Sequence, residues 1–168
     1  MPVDRQGNTV LARDDMPDLV IDLVFEGTLM NVRNALEELV ECLHPMGLEI
    51  EERGTVELVL AEVLNNVVEH AYAGRQPGQV RLSCHRDAQG LHFTVGDDGI
   101  AMPDGTFPLP SPDLLPVRNP DAAEGGFGWF LIGDLARDVT YRRKGGRNTL
   151  TFRIAVATDM SISVPSKT

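Results

Sequence analysis

The amino-acid sequence predicts one α/β domain, and three observations carry that reading. Val56, Leu60, Val63 and Val67 recur at spacings of four, three and four, which marks one face of a 3.6-period helix. From Gln79 to Val95 two alternating runs flank a turn, the pattern of a β-hairpin. A length of 168 residues suits one domain that can bury roughly 70% of its unfolded surface.

The elements follow in order. Residues 1–17 are polar and mixed in sign, and read as a flexible arm. Leu19 to Phe25 is short and rich in β-formers, so it reads as a strand. Thr28 or Asn31 can cap a helix that runs to about Leu43, with Val32, Leu36, Leu39, Val40 and Leu43 at helical spacing. A second helix is expected from about Glu51 to Ala73, stopped by Gly74. Then come strands at Gln79 to Arg86 and Leu91 to Val95, joined by a turn over residues 87–90. Residues 102–124 carry six of the eleven prolines. An unstructured stretch of that length reads as a lid over a ligand, or as a passive linker. A helix begins near Trp129, strands follow at Val139 to Arg143 and Asn148 to Val156, and residues 158–168 read as a tail. No repeat, heptad or low-complexity tract interrupts the chain.

Composition excludes several functions. The net charge is −10 and the sequence pI is about 4.7, which argues against nucleic acid or an anionic membrane as a direct partner. The one basic run, Tyr141-Arg142-Arg143-Lys144, reads as a solvated strand end. Cys42 and Cys84 form no metal-ligand spacing and read as buried thiols. The four histidines show no zinc-type arrangement, and His70 reads as a packed helix residue. No N-terminal basic-then-apolar leader and no membrane-length apolar run is present, so the expected location is the cytoplasm.

Three short motifs carry chemistry. Glu62 and Asn66 are four apart on the second helix, so their side chains project together. Such a pair is either a solvated helix face, or a base beside an amide oxygen suited to Mg²⁺. Asp97-x-Gly99-x-Ala101 ends a strand. Asp97 can accept a hydrogen bond from a purine 6-amino group, and the small Gly99 and Ala101 let a flat ring approach the backbone. Gly126-Phe127-Gly128 opens a helix, whose exposed N–H groups make a ready anion site. No Gly-x-x-x-x-Gly-Lys-[Ser/Thr] motif is present.

In order and spacing these motifs resemble the GHKL ATPase superfamily, the histidine-kinase-like ATPases. The runs Leu60-Ala61-Glu62, Asn66-Val67-Val68-Glu69-His70-Ala71-Tyr72 and Gly125-Gly126-Phe127-Gly128-Trp129-Phe130-Leu131-Ile132 look most like its anti-sigma-factor serine/threonine kinases of RsbW and SpoIIAB type. The resemblance covers about Leu19 to Val156, within a domain of residues 18–157 whose lid spans about 102–125. It implies a two-layer α/β (α+β) sandwich of Bergerat type: a mixed, mostly antiparallel sheet with helices on one face.

The resemblance also implies roles. Glu62 would be the general base, Asn66 the Mg²⁺ ligand, and Asp97 the adenine acceptor, with Gly99 and Ala101 beside it. Gly126, Phe127 and Gly128 would meet the phosphates of ATP, and Thr149 would sit beside the adenine. The implied reaction transfers the γ-phosphate to a serine of a STAS-domain anti-sigma-factor antagonist. Its implied partners are that antagonist, a sigma factor and a second copy of the chain, in regulation of transcription under stress. Relatives often carry an Arg just before the lid glycines, where this chain has Ala122-Ala123-Glu124, and Arg118 is the one basic residue in the lid. Two other readings therefore stand: an ATP-binding module that sequesters a partner without phosphorylating it, and a switch that activates a phosphatase.

Overall fold

The computed structural model describes residues 18–107 and 126–157. The N-terminal arm, most of the lid and the tail expected from the sequence lie outside the described residues. In chain order the elements are β1 (Asp18–Glu26), α1 (Leu29–Leu43), α2 (Ile50–Asn66), β2 (Gln79–Asp87), β3 (Gly90–Asp97), α3 (Gly126–Leu135), β4 (Arg137–Lys144) and β5 (Arg147–Ile154).

Local chemistry sets the helix ends. Thr28 caps α1 by accepting from the Asn31 N–H at 3.2 Å. Val32, Ala35, Leu39 and Leu43 form its buried stripe. Glu49 and Glu52 form a capping box at the start of α2, and Glu51 and Glu52 favour the positive end of that helix. The α-helix expected to reach Ala73 ends earlier, at Asn66. The next five residues, Val67–Ala71, wind as a π turn, with the Tyr72 N–H reaching the Val67 carbonyl at 3.3 Å. Sequence pattern misses this, because the apolar spacing continues through it.

The sheet runs in the order β1-β2-β3-β5-β4. Every pairing among the described strands is antiparallel, so the mixed character expected of the sheet is absent from them. Alternation sorts the strand residues into two faces. Val80, Leu82 and Cys84 of β2, Leu91, Phe93 and Val95 of β3, and Leu150, Phe152 and Ile154 of β5 are buried on one of them. Helices α1, α2 and α3 cover that face through Leu39, Leu43, Leu60, Leu64 and Ile132, all fully buried. Phe93 and Phe152 stack across β3 and β5 with ring centroids 5.3 Å apart. Val24, Arg81, Thr94 and Thr149 lie on the other face. Burial pushes the Cys84 thiol up to about 12, which leaves it unreactive.

One junction fixes the end of β3 against the π turn. The Ile100 N–H donates to the Ala71 carbonyl at 2.8 Å. A Cβ on Gly99 would overlap Ala71, so only glycine lets the two segments meet. The buried Tyr72 hydroxyl donates to Asp98 at 2.6 Å and accepts the Asp98 N–H at 3.3 Å. Burial, with the Asp98 bond adding to it, pushes the Tyr72 phenol well above its ordinary value, so it stays a donor. Gly99→Ala is therefore expected to destabilise the protein by about 1–3 kcal/mol, the range for an overpacked site. Urea unfolding at unchanged slope checks this; an unchanged midpoint would show that the junction is loose.

Candidate active site

The π turn, the loop after β3, β5 and the first residues of α3 enclose a cavity of about 400 Å³. Its walls are mostly apolar, formed by Val63, Val95, Ile100, Met102, Trp129 and Leu150. Asn66, Asp97 and Asn148 supply buried polar groups on those walls. The Trp129 ring meets Phe107 edge-on at 5.2 Å between centroids, where the described part of the lid stops.

Asp97 sits at the end of β3, opposite Asn148 on β5, and is 7% exposed. Its Oδ1 accepts the Gly99 N–H at 2.9 Å and the Asn148 amide at 2.7 Å. Its Oδ2 has no donor among the described residues. Burial raises the Asp97 carboxyl above the ordinary aspartate value, and the bonds from Asn148 and Gly99 partly offset this. A buried carboxylate with one open oxygen suits a ligand N–H donor.

Glu62 and Asn66 project from α2 as their spacing predicts. Asn66 is 8% exposed, and its Nδ2 has no hydrogen-bond partner among the described residues. A buried orphan amide calls for a partner from outside the chain. Turned about its last bond, the same group offers Oδ1 to a hard cation. Gly128 packs so closely that a Cβ there would strike the Glu62 carboxylate and come within 3.6 Å of Asn66 Nδ2. The start of α3 thus rests on the Glu62 and Asn66 pair. Gly126, Phe127 and Gly128 form the first turn of α3, where helix N–H groups lack intrahelical acceptors. One carboxamide and one carboxylate fit Mg²⁺, which takes few protein ligands and fills its shell with water and phosphate oxygens. Among the described residues no cluster of three or more His, Cys, Asp or Glu gathers as an all-protein metal site.

The structure thus brings Glu62, Asn66, Gly128, Asp97 and Ala101 to one region, with Gly126 and Phe127 in the adjoining turn. Two expected residues stand elsewhere. Gly99 does not line the cavity; its missing Cβ makes room for Ala71, not for a ring. Thr149 does not sit beside Asp97 in the cavity. A strand turns successive side chains to opposite faces, so Asn148 points in with Leu150, and Thr149 lies on the open face with Arg81 and Thr94. The inward Leu150 and Phe152 carried the signal for Asn148, since counting back by two reaches position 148. The basic run of β4 is also more than a solvated end: Tyr141 and Arg143 both donate to Asn148 at 2.6 Å. His70 is exposed and borders the cavity, where the sequence suggested a packed residue.

The raised Asp97 value gives a pH dependence of stability. Between 3.8 and the raised folded value, the folded chain binds more protons at Asp97 than the unfolded chain does. The contribution of Asp97 to stability is therefore present below 3.8 and lost as pH rises through the folded value. Without ligand, wild type should lose stability relative to Asp97→Asn as pH rises through that window. Urea unfolding of both proteins from pH 4 upward measures the difference, and a constant difference would contradict the assignment.

Comparison with known proteins places the chain. The family described as the histidine kinase-like ATPase domain matches residues 25–154. The serine/threonine-protein kinase BtrW of Bordetella bronchiseptica is 33% identical over 100 residues, which are 60% of this chain and 68% of BtrW. Among solved structures, the RsbU and RsbW domains of Rv1364c from Mycobacterium tuberculosis superpose with a TM-score of 0.55 at 17% identity. That match covers 81% of this chain and 32% of the Rv1364c chain, and it establishes likeness of fold. No helix among the described residues is long and apolar enough to cross a membrane. With most of its length matched and the motifs gathered around one cavity, the chain belongs to the histidine kinase-like ATPase domain family.

Proposed function

We propose that this chain is an ATP-dependent protein serine/threonine kinase that acts as an anti-sigma factor. In this reading it holds a sigma factor, phosphorylates a serine of a STAS-type antagonist, and works in the cytoplasm as a homodimer. The observation that carries the reading is the convergence of Glu62, Asn66 and the first turn of α3 beside the cavity that holds Asp97. The likeness to BtrW, a serine/threonine kinase, supports the choice of phosphate acceptor.

Each residue has a task in this reading. Asp97 accepts a hydrogen bond from the adenine 6-amino group, while Ile100, Ala101 and Trp129 flank the ring. The N–H groups at the start of α3 receive phosphate oxygens. Asn66 would hold Mg²⁺, whose charge would offset that of the phosphates. Glu62 takes the proton from the attacking serine hydroxyl. A bond forms from the serine oxygen to the γ-phosphorus, the bond from that phosphorus to the bridging oxygen breaks, and ADP leaves.

A second reading, sequestration without transfer, is favoured by Ala122-Ala123-Glu124, where relatives often place an Arg before the glycines. Phosphoserine on the antagonist after incubation with Mg·ATP separates the two. Glu62→Gln is expected to lower the transfer rate by about 10²–10⁴-fold, the usual contribution of a general base. Its affinity for Mg·ATP should stay within about threefold of wild type, since the base acts on the acceptor, not on the nucleotide. Transfer at the wild-type rate by the variant, measured with radiolabelled ATP, would remove Glu62 from the chemistry.

A further inference from the structure

We infer that Asn148 is the residue that sets purine selectivity, by fixing how Asp97 presents its carboxylate. The inference rests on the nucleotide-binding reading above and extends it to a residue with no assigned role. Asn148 is 4% exposed, and its amide is held at both ends. Its Oδ1 accepts from the Arg143 guanidinium and the Tyr141 hydroxyl, each at 2.6 Å. Its Nδ2 donates to Asp97 Oδ1 at 2.7 Å and to the Ile100 carbonyl at 2.8 Å. The amide cannot be turned over. Arg143 can only donate, and the Tyr141 hydroxyl already accepts the Met102 N–H at 3.0 Å, so its own proton goes to Asn148. On the other side, a carboxylate and a carbonyl can only accept.

This arrangement dictates what the site can read. Gly99 and Asn148 together fill Asp97 Oδ1 with donors and leave Oδ2 as an acceptor. A 6-amino purine offers a donor there. A 6-oxo purine would set a carbonyl oxygen against a carboxylate oxygen, leaving both unpaired in a largely apolar cavity. Arg143 also donates to the Gly99 carbonyl at 3.0 Å, so the cation that fixes the amide also fixes the loop after Asp97.

Asn148→Asp, which keeps the shape, tests this. The new carboxylate would face Arg143 and Tyr141 on one side and Asp97 on the other. Arg143 and Tyr141 favour charge at position 148, so the proton that two touching carboxylates share falls on Asp97. The other ionisable groups near Asp97 are Asp98, next in the chain, and His70 at the cavity border. That proton lies between Oδ1 and position 148, so Oδ2 becomes the carbonyl oxygen of a neutral acid, a weaker acceptor for a 6-amino group and less repelled by a 6-oxo group.

The experiment is calorimetric titration of the full chain with Mg·ATP and with Mg·GTP across pH. Wild type is expected to prefer ATP. Asn148→Asp should lower the ATP-to-GTP affinity ratio at least about tenfold and move the loss of ATP binding to higher pH. Arg143→Met, at an exposed side chain, removes the cation that holds both Asn148 Oδ1 and the Gly99 carbonyl, and should lower the ratio about threefold even if Asn148→Asp does not fold. A folded Asn148→Asp with the wild-type ratio and pH profile overturns the inference, and so does an unchanged ratio in Arg143→Met. Wild type that binds ATP and GTP equally also overturns it, leaving the nucleotide site intact. Wild type that binds neither overturns the nucleotide reading itself.

Discussion

The structure depends on one contact, the end of β3 laid against the π turn that closes α2. The Ile100 N–H to Ala71 carbonyl bond, the bare Cα of Gly99 and the Tyr72 to Asp98 bond make that contact. It fixes the cavity, because Asp97 lies just before it on β3 and Asn66 just before it on α2. Continuing α2 as a regular α-helix would alter the hydrogen bonding of residues 67–71, from which Ala71 reaches Ile100. A local departure from ideal helix thus sets the distance between the two polar parts of the site.

Those two parts are arranged differently for physical reasons. Asp97 is buried and its partners come from within the fold, so its geometry is set before any ligand arrives. Burial disfavours its charge, and a ligand donor at Oδ2 would offset that cost. Asn66 is the reverse case, a buried amide whose Nδ2 finds no partner in the described fold. Gly128 brings the first turn of α3 against Glu62 and Asn66, which ties both residues to the segment that follows the lid.

Much of this was legible in the sequence. Apolar period gave α1, most of α2 and the hairpin of β2 and β3, since those faces are buried with few exceptions. The pairing of Glu62 with Asn66 followed from helical spacing alone. The π turn was not legible, because Val67 and Val68 continue the apolar pattern while the hydrogen bonds change. Gly99 was singled out for the approach of a flat ring, but a sequence does not say what approaches, and here it is Ala71. Thr149 was one residue out of phase with a strand whose buried Leu150 and Phe152 pointed to Asn148. Arg143 was hidden by its neighbours, since alternate residues of one basic run face different surroundings.

The central claim is that the cavity around Asp97 binds Mg·ATP, and thermal unfolding of wild type and Asp97→Asn with and without Mg·ATP tests it most directly. A ligand at about a hundred times its Kd adds roughly 2.7 kcal/mol to the folded state. For a chain of this length that raises the unfolding midpoint by roughly 5–10 °C. The account predicts that rise in wild type and its loss in Asp97→Asn, which replaces the open acceptor Oδ2 by an amide donor. No rise in wild type, or an equal rise in both proteins, would contradict it.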